Sequence, residues 1–137
     1  MSTPADAKVE ASSQRVRRLV RVCHDAATGD SRFDDEAEVA MVEKMFAPPA
    51  PSLFASDKMP VSNFLLVETL PGWGGDVAHP TPAKQYCMCL RGGCRITVSD
   101  GESREFGVGD VWLLDDTEGK GHVTHTPTES LFAMVQV

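Results

Sequence analysis

The stretch Gln85-Tyr86-Cys87-Met88-Cys89-Leu90-Arg91-Gly92-Gly93-Cys94-Arg95-Ile96-Thr97-Val98-Ser99-Asp100-Gly101 decides the fold. Gln85 to Leu90 reads as a strand, Arg91-Gly92-Gly93 as a turn, and Cys94 to Val98 alternates as a second strand. Asp100-Gly101 is a hairpin signal, because these residue types accept the positive φ that a tight connection needs. The pattern repeats outward. Downstream come Glu102 to Phe106, then Val108-Gly109-Asp110 turning into Val111-Trp112-Leu113-Leu114, then His122 to Thr124 and Leu131 to Val137. Upstream, Phe64 to Leu70 stops at Pro71-Gly72. Short strands at roughly eight- to twelve-residue spacing, with turn chemistry between them, predict an all-β, antiparallel sandwich or barrel.

The first sixty residues read less sharply. Residues 1–13 are small, polar and aperiodic, and are expected to form a disordered tail. Residues 14–23 fit either a helical stripe or a strand, with β-branched content favouring the strand. Their arginines, Arg15, Arg17, Arg18 and Arg21, could form a basic patch, but in an acidic protein a solvated edge, or pairing with the acidic stretch Asp30 to Glu38, is expected instead. Residues 37–46 fit a short helix or a strand, and the sequence leaves that choice open. Pro48-Pro49-Ala50-Pro51 ends either element, so residues 47–60 read as a surface connection. The expected organisation is one domain over residues 14–137, since the first sixty residues are too few for a core of their own.

Composition narrows the function. The chain has 137 residues, with 13 Lys+Arg against 20 Asp+Glu and a formal charge of −7. An acidic surface repels phosphate backbones, so no nucleic-acid partner is expected. No apolar run approaches the roughly 20 residues that span a bilayer, so no membrane partner is expected either. The N-terminus carries no basic and apolar leader, so a cytoplasmic location is expected. Cys23, Cys87, Cys89 and Cys94 include no C-x-x-C pair and read as free, buried thiols. There is no phosphate loop, no G-x-S-x-G elbow and no carboxylate pair suited to glycoside hydrolysis.

The residues that could carry chemistry are His79, Gln85 and His122. If residues 79–90 are extended, His79, Thr81, Gln85, Cys87 and Cys89 share one face. Met88 and Leu90 then face the other way, as core toward whatever packs outside. A buried His and Gln need partners, because burying them unpaired costs about 1–3 kcal/mol each. A hollow holding water, a metal or a ligand would supply them. His125 points away from His122 in a strand and reads as surface, as does His24 in its turn. Trp112 reads as core, and Trp73, in a glycine-rich loop, as a lid over the hollow or a dimer contact.

From Pro71 onward the chain resembles the cupins, small jelly-roll barrels, and in particular small single-domain cupins of the conserved-barrel type. His79-Pro80-Thr81 stands at the two-histidine position of the first cupin motif, Gln85 at its Glu and Gly92 at its Gly. Gly109-Asp110 opens the second motif and Gly119-Lys120-Gly121-His122 closes it. The resemblance implies a cupin-like antiparallel β-barrel (double-stranded β-helix, or jelly roll) with a short N-terminal extension. It also implies a divalent transition metal (Fe, Mn, Ni or Zn) on His79, Gln85 and His122. Thr81 replaces one family His and Gln85 the family Glu, so an anionic ligand is missing and the metal site is degenerate. One expectation is therefore a barrel binding a small-molecule ligand through His79, Gln85, Cys87, His122 and Trp73. The alternative is a metal-dependent dioxygenase, isomerase, decarboxylase or lyase acting on a small polar or aromatic molecule. The resemblance further implies a homodimer, with residues 14–23 completing the neighbour's sheet.

Overall fold

The computed structural model describes residues 14–137, and the expected tail over residues 1–13 lies outside them. The strands are β1 (Gln14–His24), β2 (Ser31–Lys44), β3 (Leu53–Ala55), β4 (Asn63–Thr69), β5 (Ala78–His79), β6 (Gln85–Arg91), β7 (Gly93–Thr97), β8 (Ser103–Gly107), β9 (Val111–Leu114), β10 (His122–His125) and β11 (Ser130–Gln136). They form a seven-stranded sheet, ordered β3-β2-β1-β9-β6-β11-β4, and a four-stranded sheet, ordered β5-β10-β7-β8. From β4 on, successive strands divide between the sheets in the interleaved order of a jelly roll. The all-β expectation therefore holds. The barrel is two sheets rolled against each other, not one closed ladder.

The N-terminal extension adds β1, β2 and β3 beside β9. The β1–β9 ladder is parallel, through Val20↔Trp112 to Val22↔Leu114. Residues 14–23 thus lie inside their own chain's large sheet. Residues 37–46, open in the sequence, are strand as far as Lys44. Burial alternates residue by residue from Ala37 to Lys44, the period of a half-covered strand. The connection 47–60 contains the short strand β3, which three residues of sequence could not announce. Two of the four arginines pair with acids: Arg18 with Glu38, and Arg21 with Asp34 of the expected stretch and with Asp115 outside it, whereas Arg15 lies over the Phe54 ring. Arg21 ties β1 to β2 and to the loop after β9.

The core lies between the sheets. Val22, Cys87, Cys89, Trp112, Leu114 and Phe132 from the large sheet meet Cys94, Ile96, Val98 and Phe106, which come from β7, β8 and the turn between them. Trp112 packs on Phe106 with ring centroids 4.6 Å apart and edge-on to Phe132 at 6.1 Å. Trp112 is core, as read. The expectation for Met88 and Leu90 is corrected. In β6 it is Gln85, Cys87 and Cys89 that are buried, and Leu90 is 50% exposed. Tyr86, Met88 and Leu90 alternate with Cys87 and Cys89, which gave parity but not direction. The smaller thiol face is the one the opposing sheet can approach closely. Among the described residues, no helix is long and apolar enough to cross a membrane.

Candidate functional site

Residues 79–90 are not one extended segment. The chain leaves β5 at Pro80, turns, and re-enters in the large sheet at Gln85, so His79 and Gln85 belong to opposite sheets. The face-sharing argument holds only from Gln85 to Cys89. His79 reaches the same hollow by another route: it pairs across the β5–β10 ladder with His122. The two imidazole centroids are 5.3 Å apart and their planes are tilted by 53°. Gly121 makes this approach possible. Its φ is +75°, and a side chain there would run into the backbone of His79 and Pro80.

These residues line a cavity of about 240 Å³ between the sheets. His79, Gln85, Cys87, His122 and Trp73 all contribute to its wall, so the expected ligand-contact residues are brought together. Trp73 is 46% exposed and sits at the mouth, where its backbone bridges Thr126. Val67, Ile96, Leu114, Phe132 and Met134 make the remaining wall overwhelmingly apolar, and no Lys, Arg, Asp or Glu contributes to it. Cys87 is fully buried and lines the wall beside Cys94. Burial pushes each thiol up to about 12, with Cys94 adding to the shift of Cys87 and Cys89 to that of Cys94. Both are therefore neutral, weakly polar filler.

His122 is 1% exposed and its Nδ1 stands 2.5 Å from Oδ2 of Asp116, a carboxylate with no solvent contact. Sequence reading missed Asp116. It occurs in a polar glycine-rich loop, where a carboxylate is ordinarily solvated, and no spacing marks it. The Thr81 backbone N–H donates to the Asp116 carbonyl, which fixes the loop against the turn after β5. Oδ1 of Asp116 is buried without a protein partner. His79 is oriented differently, with its Nδ1 3.0 Å from the Pro80 carbonyl oxygen. Gln85 is already engaged at both ends. Its Nε2 donates to Thr81 Oγ1 at 3.1 Å, and its Oε1 accepts from Gln136 Nε2 at 3.3 Å.

That arrangement does not fit a resident transition metal. Even catalytic sites hold the ion by about three protein ligands. Here two imidazoles are free to coordinate, the Gln85 oxygen is a neutral amide oxygen that already accepts from Gln136, and the Thr81 hydroxyl donates to the Ala83 carbonyl. No group of three or more His, Cys, Asp or Glu side chains is placed to hold an ion among the described residues. What the site can do chemically is bind an apolar molecule and present two oriented imidazoles to it. A histidine held by a buried carboxylate is also a competent proton carrier. His125 and His24 stand outside the cavity wall. Both are half-buried, not surface residues, and each has a buried Nδ1 without a protein partner.

No protein-family model matches the chain, and no curated protein does. Among solved structures, the chain is similar to protein NMB1881 from Neisseria meningitidis, with 18% identity over 57% of this chain and 81% of that one and a TM-score of 0.44. It is also similar to a protein of unknown function (DUF1255) from Acinetobacter sp. ADP1, with 12% identity over 92% of this chain and 96% of that one and a TM-score of 0.43. Neither comparison carries a residue's role over to this chain.

Proposed function

We propose that this chain is a cupin-type barrel that binds a small molecule between its two sheets, with His79 and His122 as the polar contacts. The observation that carries this reading is the 240 Å³ apolar cavity with two imidazoles on its wall. Concave, mostly apolar sites with a few convergent polar groups are the usual form of small-molecule sites. The interleaved strand order and the residues from His79 to His122 support the cupin assignment. Four free cysteines suit a reducing compartment, and the cytoplasm is the compartment we propose.

The test is thermal unfolding with and without millimolar toluene, a neutral apolar probe of suitable size. A ligand at 100 times its Kd stabilises a fold by about 2.7 kcal/mol, which raises Tm measurably. Ile96→Trp, which fills the cavity, is expected to remove that rise. An unchanged Tm for the wild-type chain across a range of small neutral aromatics overturns the reading.

We also propose a homodimer, formed through β4. This strand is the edge of the large sheet and carries Phe64 and Leu66, both 62% exposed. It has no Pro or Lys to discourage pairing. Paired antiparallel with a second β4 about Leu66, its only charge, Glu68, meets Phe64 and not another Glu68. Its sequence is self-complementary in that register.

A further inference from the structure

We propose that the cavity's ligand is an uncharged aromatic ring bearing one or two hydroxyl groups, phenol or catechol in size, which donates its hydroxyl hydrogen to Nε2 of His79 or His122. The inference rests on the small-molecule reading above and names the class of molecule.

Size sets the first bound. A dry cavity of about 150 Å³ accepts benzene. At about 240 Å³ this one takes a substituted single ring. Charge sets the second bound. With no ionic side chain on the wall, an anion or cation entering would lose its hydration and gain no counter-charge. The apolar wall, including Trp112 and Phe132, suits the flat faces and edges of an aromatic ring.

The hydrogen-bonding pattern gives the third bound, and it decides the hydroxyl. The partner of His79 Nδ1 is the Pro80 carbonyl oxygen, and the partner of His122 Nδ1 is a carboxylate oxygen. Both oxygens accept, so in each ring Nδ1 carries the proton and donates it. A neutral imidazole with its proton on Nδ1 presents a lone pair at Nε2. Neither Nε2 has a partner among the described residues, and neither is sealed in protein as an orphan. They are acceptors open to the cavity. No hydroxyl of the wall is bonded to them: Thr81 donates to Ala83, Thr126 to Leu70, the Thr69 hydroxyl is buried without a partner, and no hydrogen bond joins Thr124 to either ring among the described residues. Both acceptors are thus unmet as the protein stands, and a molecule that brings a donor completes the site. With the rings 5.3 Å apart, one hydroxyl can reach either nitrogen, and a vicinal pair can address both.

The experiment is calorimetric titration of the full chain, dialysed against chelator, with phenol, catechol, toluene and benzoate. Phenol and catechol are expected to bind at least about tenfold more tightly than toluene, the ratio one good hydrogen bond supplies. Benzoate is expected to bind more weakly than phenol. His79→Phe keeps a ring at the mouth but removes one acceptor. It is expected to lower catechol affinity about tenfold and leave toluene unchanged. Toluene binding as tightly as phenol overturns the hydroxyl assignment while leaving the cavity reading standing, as does benzoate binding more tightly than phenol. Phenol binding that appears only on adding zinc overturns it too. Failure of toluene and phenol alike, at millimolar concentration, overturns the small-molecule reading itself. The wild-type ratio of phenol to toluene decides the matter even if the variant does not fold.

Discussion

Nδ1 of His122 and Oδ2 of Asp116 lie 2.5 Å apart with both side chains closed to solvent. The pair joins β10 to the loop that precedes it, and that loop is held in turn to the turn after β5. A buried carboxylate is tolerable only while something compensates it. Asp116 therefore fixes the orientation of His122, and His122 pays the solvation debt of Asp116.

Removing His122 should accordingly cost more than a cavity of its size. His122→Ala is expected to destabilise the chain by about 3–5 kcal/mol, the range for stranding a buried charge. Asp116→Asn, which leaves no charge behind, should cost clearly less. Urea unfolding at neutral pH measures both. Equal losses, or losses within about 1 kcal/mol of the wild type, contradict the pairing.

Gly121 and Gly101 separate two reasons for glycine. Both have positive φ, +75° and +97°, but nothing lies within 4 Å of a side chain added at Gly101, whereas one at Gly121 meets the His79 backbone. Gly101→Ala should cost about 1 kcal/mol, for backbone strain alone. Gly121→Ala adds overpacking of about 1–3 kcal/mol and should push β5 away from β10, which displaces His79. Urea midpoints give the energies. Loss of phenol binding in Gly121→Ala, with binding intact in Gly101→Ala, gives the displacement.

Apart from the two-residue β5, the strands from β4 to β11 were legible because alternation and turn residues are local signals. Asp100-Gly101 and Gly92-Gly93 announced their turns before any tertiary contact was known. The route to the site was less legible. His79 and Gln85 face one hollow, but Pro80 and Pro82 break the segment between them, and the two residues arrive from opposite sheets. A period-two argument cannot see a chain that changes sheets. Asp116 was illegible for a different reason: its role depends on burial, and a loop carboxylate carries no sequence mark of burial. The direction of β6 also escaped, because which face is core depends on how closely the other sheet packs, and Met88 and Leu90 look more apolar than the cysteines that lie inside.

The thiols predict a pH dependence. Burial raises Cys87 and Cys94 from 9.0 to about 12, so the native chain keeps protons that the unfolded chain loses. Their contribution to stability is fully present below about pH 9 and falls as pH rises from about 9 to 12, by up to about 1.4 kcal/mol per pH unit for each thiol. Tyrosine and lysine titrate in the same range, so the measurement is a comparison. Urea midpoints of the wild type should fall more steeply over this window than those of the Cys87→Ala/Cys94→Ala double variant. Parallel slopes contradict the burial-driven shift.

The β4 edge gives the sharpest prediction about assembly. In the antiparallel register centred on Leu66, that residue faces its own copy across the two-fold axis. Leu66→Lys therefore places two like charges directly opposite one another, which destabilises a ladder. Leu66 is 62% exposed within one chain, so the same change should leave the monomer fold within about 0.5 kcal/mol. Light scattering at micromolar concentration should give twice the chain mass for the wild type and the chain mass for Leu66→Lys. Glu68→Lys is the companion test. In this register residue 68 meets Phe64 and not its own copy, so the dimer should persist. A wild-type monomer, or a Leu66→Lys dimer, contradicts pairing through β4. Loss of the dimer in Glu68→Lys alone would contradict the register.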